Sequence, residues 1–104
     1  MNAKEILKEG KKIMKQRGSE YGDAKEMFGL ISRYWSIYLN RVITLEDVSM
    51  LMALMKIART SEDKKIDTYI DMVTYGAFAG EFAEEQRTRE EDFDEAMEML
   101  FGKD

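Results

Sequence analysis

The chain of 104 residues has no cysteine, no histidine and no proline. Without cysteine there are no disulfides and no thiolate metal sites, and a cytoplasmic home is expected. Without histidine, Ser-His-Asp and Cys-His catalysis are excluded, as are imidazole bases and most zinc and iron sites. Any chemistry would fall to carboxylates, with a hard cofactor ion such as Mg²⁺. Without proline, helices have no obligatory breaker, so glycine and capping residues must mark their ends. No apolar run approaches the roughly 20 residues of a membrane span, and mean hydropathy is −0.49; no membrane role is expected. The lysine-rich start is not followed by a hydrophobic stretch, so no secretory leader is expected.

Apolar residues make up 44% of the chain and charged residues 36%. That balance supports a packed core and excludes a disordered chain. The length suits a single helical domain over 1–104, with 86–104 as an acidic extension. Net charge is −5, unevenly spread. Residues 1–17 hold six Lys/Arg against two Glu, and residues 81–104 hold ten Asp/Glu against three Lys/Arg. A basic start invites a nucleic-acid role, but the acidic remainder argues against it, and a solvated helix face accounts for the lysines.

Hydrophobic periodicity predicts helices throughout. The first runs from about Ala3 to Arg17 behind an Asn2 cap, with Ile6, Leu7, Gly10, Ile13 and Met14 on one stripe. Residues 18–22 read as a turn. Asp23 and Glu26 form a capping-box pattern for a second helix, whose Met27, Phe28, Ile31, Trp35, Tyr38 and Leu39 share a face. Residues 40–43 end it. Thr44 and Asp47 give a second capping box and open a third helix. Val48, Met50, Leu51, Met52, Leu54, Met55, Ile57 and Ala58 cover most of its circumference and leave a strip of Ser49, Ala53 and Lys56. Such a helix is expected to be central and buried. A fourth helix spans about Ile66 to Glu85 or beyond, and Thr88 to Glu91 is a third capping-box pattern before a short fifth helix carrying Phe93, Ala96, Met97, Leu100 and Phe101. Hairpin dipeptides and period-two runs are missing. The expected class is all-α, a compact bundle of four main helices plus a short C-terminal helix.

The fourth helix carries a second face of Asp67, Asp71, Thr74 and Phe78, flanked by Tyr75 and Phe82. Carboxylates at i and i+4 lie about 6 Å apart and repel unless a cation or donor sits between them. With Asp47 as a third carboxylate, Asp67 and Asp71 are the candidate Mg²⁺ ligands. Lys56 and Arg59 are candidate phosphate partners. Tyr21 stands at a helix start that favours anions, and Trp35 could stack on a base. Tyr21, Trp35, Lys56, Arg59, Thr74 and Tyr75 are thus the candidate nucleotide contacts. Each also has a plain structural role: Asp47 as a cap, Trp35 as core, the basic groups as solvated surface. Gly76 and Gly80, four apart beside Phe78 and Phe82, suggest a homo-oligomer contact.

RGSEYGDAKEMFGLISRYWSIYL, ITLEDVSMLMALMKIART and IDTYIDMVTYGAFAGE, taken in order, resemble a family of small phage and prophage proteins of uncharacterised function. The pattern comprises Arg17, Tyr21, Gly22, Trp35, Asp47, Val48, Lys56, Ala58, Arg59, Asp67, Asp71, Tyr75 and Gly76, within about residues 5–83. The resemblance implies a phage setting, hence the host cytoplasm. A more distant similarity is to the all-α nucleoside triphosphate pyrophosphohydrolases of the MazG type, which hold Mg²⁺ and a triphosphate among carboxylates from neighbouring helices. Their paired Glu-x-x-Glu and Glu-x-x-Asp signatures are absent, and Asp47, Asp67 and Asp71 would replace them.

Three functions are therefore expected in competition. The first is nucleotide binding between the third and fourth helices, with pyrophosphate release as its enzymatic form. The second is a non-enzymatic phage effector that sequesters a host-defence nucleotide or binds a host protein through its acidic surface. The third is a structural oligomer.

Overall fold

The computed structural model describes residues 1–20 and 24–102. Four helices follow one another: α1 (Ala3–Glu20), α2 (Ala24–Leu39), α3 (Leu45–Arg59) and α4 (Ile66–Phe101). Among the described residues every regular element is a helix, as the periodicity predicts.

Local chemistry explains the ends. Asn2 accepts from the Glu5 N–H through Oδ1 at 2.9 Å, capping α1. Residues 18–20, expected in a turn, continue α1. The capping role expected of Asp23 lies outside the described residues. Asn40 ends α2 with φ +53°, in the left-handed region asparagine tolerates. Two serines of α2 then fasten the connecting loop. Ser32 Oγ donates to the Ile43 carbonyl, and the Ile43 N–H donates to Ser36 Oγ at 2.8 Å. At the start of α3 the expected capping box is complete. Thr44 Oγ1 accepts from the Asp47 N–H at 3.1 Å, and Asp47 Oδ2 accepts from the Thr44 N–H at 2.9 Å.

The short C-terminal helix is replaced by a continuation of α4, which runs 36 residues without a break. The reason is visible at Thr88. Its hydroxyl donates back to the Glu84 carbonyl four residues earlier instead of capping a new helix. No glycine or proline occurs between Glu81 and Phe101. Gln86 pairs with Glu90, and Arg87 with Glu84 and Glu91, at helical spacing. The Arg87 guanidinium is held above its ordinary range by its hydrogen bond to Glu84 and by the charges of Glu84 and Glu91.

The core lies between α2, α3 and the first half of α4. Phe28, Ile43, Val48 and Phe82 are buried there, with Ile31, Trp35, Leu45, Tyr75 and Phe78 packed around them. Phe28 meets Phe78 and Phe82 edge-on at centroid distances of 5.6 and 5.8 Å. α1 packs on α4 through Gly10. A Cβ there would lie 3.1 Å from Thr74 Oγ1, so glycine allows the close approach. From Gln86 onward every described residue is exposed. A 36-residue helix is about 54 Å long, and it sets the longest dimension of the molecule, 55 Å. The radius of gyration is accordingly 17.1 Å, against about 13 Å for a compact chain of this length.

Candidate functional site

The face of α4 singled out in the sequence as a second, acidic and aromatic face is its core face. Phe82 and Thr74 are 4% and 5% exposed, and Tyr75 and Phe78 are half-buried. Thr74 donates its hydroxyl to the Ile70 carbonyl at 2.8 Å, a local bond that satisfies it without a ligand. Tyr75 and Trp35 both pack against the aromatic core. Tyr21 lies outside the described residues.

The three aspartates take separate positions. Asp47 is exposed and held in its capping box. Asp67 stands exposed in the first turn of α4. Asp71 reaches across to α3, where its carboxylate meets Lys56 Nζ at 2.8 Å, with only 19% and 16% of the two side chains exposed. Among the described residues no group of three or more acidic side chains is placed to hold a metal ion. The expected cluster of Asp47, Asp67 and Asp71 is therefore not assembled. Lys56 is drawn to Asp71, while Arg59, one turn on, stays exposed at the end of α3.

The expected contact through Gly76, Phe78, Gly80 and Phe82 is also changed. Helical periodicity separates the four. The two phenylalanines stack on each other at 6.1 Å and meet Phe28 edge-on, inside the chain. The two glycines sit on the outer side, where an added Cβ would meet nothing within 4 Å.

At the other end of the α3–α4 seam lies a cavity of about 350 Å³. Thr44, Leu45 and Glu46 line it from the start of α3, and Phe82, Glu85, Gln86 and Arg89 from α4. Glu85 is paired with Lys25 Nζ at 3.0 Å. Among the described residues, none of those expected to contact a nucleotide lines this cavity. One signal in the sequence pointed to it. Phe82, Glu85, Gln86 and Arg89 follow the i, i+3, i+4, i+7 spacing of a single helix face.

The largest departure from expectation is the orientation of α3. Ser49 is fully buried and Lys56 nearly so, both on the strip turned toward α4. Met50, Leu51, Leu54, Met55 and Ile57, expected inside, are 42–54% exposed. On α2 and the loop after it, Tyr34, Ile37, Tyr38 and Val42 are 64–87% exposed. The whole chain exposes 8255 Å², whereas a folded monomer of 12.1 kDa is expected to expose about 6,000 Å². That excess counts polar and apolar area together; the contiguous exposed apolar side chains within it mark an interaction surface. Among the described residues no helix is long and apolar enough to cross a membrane.

Comparison with known proteins places this architecture in a phage context. The chain is similar to the Gene 55 protein of Mycobacterium phage L5, with 44% identity over 62 residues. That stretch is 58% of this chain and 40% of the phage protein, so the likeness spans less than half of the relative's length. No solved structure matches. The pattern of a family described as "Domain of unknown function (DUF6378)" matches residues 5–83, from α1 to the last buried turn of α4, and the chain belongs to that family.

Proposed function

We propose that the protein is a self-associating phage protein that works by surface binding, with a second copy covering the apolar sides of α2 and α3. The observation that carries this reading is the apolar outer side of α3. A surface helix in a monomer turns its apolar stripe inward and its polar strip to water. Here Val48 and Met52 share the inner side with Ser49 and Lys56, while Met50, Leu51, Leu54, Met55 and Ile57 face outward. Burying them on a second copy restores the ordinary arrangement. The surplus of about 2,200 Å² over a compact monomer is of the size that one partner contributes to a large, stable interface.

Light scattering of the full chain across a dilution series tests this. The wild type is expected at twice the chain mass or more. Leu54→Glu, at a position 54% exposed in the chain, is expected near the mass of one chain with its helix content kept. A wild type that scatters as one chain at every concentration removes the reading.

Nucleotide binding is the second reading, favoured by the cavity between α3 and α4. Its volume of about 350 Å³ falls in the range of small-molecule pockets. Arg89 is the phosphate partner available in its wall. Mg²⁺ would then enter with the nucleotide, held mainly by the phosphates. On this reading pyrophosphate release is the reaction to look for, and a nucleotide returned unchanged would point to sequestration. A thermal-shift panel of nucleoside triphosphates, with and without Mg²⁺, should give a shift that Arg89→Ala abolishes. No shift with any nucleotide would sink it.

A further inference from the structure

The outer end of α4 has the same defect as α3, in mirror image. Between Glu90 and Phe101 there are six carboxylates and no Lys or Arg. Phe93, Met97, Leu100 and Phe101 recur at helical spacing along one stripe and are 63%, 39%, 73% and 74% exposed. An acidic helix with an aromatic stripe in water needs a cover that is apolar and basic. The chain carries such a surface. The exposed sides of α2 and α3 present Tyr34, Ile37, Leu54 and Ile57, and the charged groups exposed on them and on the loop between are Arg33, Arg41 and Arg59 against Glu26 and Asp47, a balance that is basic by one.

We infer that the acidic end of α4 from a second copy docks its Phe93–Phe101 stripe on the exposed sides of α2 and α3. The inference rests on the self-association reading and names the segment that does the covering. It cannot happen within one chain. Residues past Gln86 belong to an unbroken helix with no glycine or proline between Glu81 and Phe101, so the end of α4 projects away from its own α3. The lengths match, since 12 residues of helix span about 18 Å and the 15 residues of α3 about 22 Å. Charge chooses among the surfaces a second copy offers. Tail against tail would set six carboxylates against six. The lysines of α1 match in charge, but Leu7 is the only large apolar side chain exposed on that helix. At the area large apolar side chains bring to a core, the stripe offers on the order of 500 Å². Two reciprocal contacts, both surfaces counted, then bury about 2,000 Å², enough for a stable dimer.

The absence of native cysteine makes the test clean. The full chain carrying Leu54→Cys and Met97→Cys together is treated with a short bismaleimide. Covalent dimers are expected, or ladders if the exchange does not close into a pair, while each single variant stays as single chains. Covalent dimers from Leu54→Cys alone would show α3 meeting α3, and from Met97→Cys alone tail meeting tail. Either result overturns the inference, as does a double variant that stays uncoupled although light scattering shows an assembled protein. A wild type that scatters as a monomer sinks self-association itself, and is distinguished by that measurement.

Discussion

The two halves of α4 are one helix in two environments. From Ile70 to Phe82 it carries four buried side chains, edge-on aromatic contacts to α2 and an ion pair to α3. From Gln86 to Phe101 every residue is exposed. The family match stops at residue 83, at the border between the two. Helical backbone continues wherever nothing stops it, because each added residue closes one more hydrogen bond. Burial requires another element at the right place, and the first half has three of them while the second has none of its own.

Four substitutions can break that contrast, with stability read by urea denaturation in the monomeric Leu54→Glu background so that association does not contribute. Phe82→Ala should cost about 3–5 kcal/mol, the range for a buried aromatic, whereas Phe93→Ala should stay within about 0.5 kcal/mol. Equal costs would mean that the outer half belongs to the chain's own core. Lys56→Ala should cost about 2 kcal/mol, because it strands a carboxylate that is mostly covered by α3 and α4. Arg87→Ala, which removes an exposed pair in the outer half, should cost no more than about 0.5 kcal/mol.

The caps sharpen the comparison further. Thr44→Ala should cost about 1 kcal/mol through the lost capping box, and Thr88→Ala close to nothing, since its hydroxyl only repeats a bond the helix already has. A cost of the same size at Thr88 would mean that a helix starts there after all. Smallest is Gly80→Ala. With open space around its Cβ, it should gain up to about 1 kcal/mol from helix propensity. A loss would show that something packs on the Gly76–Gly80 side, as the sequence suggested.

Much of the fold could be read from the chain alone, and the successes share a cause. The caps at Asn2 and at Thr44 with Asp47 are contacts between residues three apart, and their chemistry is complete within one turn. Thr88 shows the limit of that approach, since the same residue type can cap a helix or bond back along it. The site was harder to read. Asp67 and Asp71 stand one turn apart on α4 and Asp47 opens α3, yet each finds a different environment: water, Lys56 and a cap. The spacing of Asp67 and Asp71 says where they stand on α4 and nothing of what stands opposite.

Helix, cap and charge asymmetry follow from interactions within a few residues, so the chain's local chemistry settled them before any packing. Which side of α3 is inside could not be settled that way. Its apolar arc is so wide that either side could be buried, and the decision fell to Asp71 and the edge-on Phe28–Phe82 pair, which reach it from α4 and α2 across long stretches of sequence. The buried lysine and the exposed methionines are consequences of that distant contact, and they are what gives the protein a surface to share.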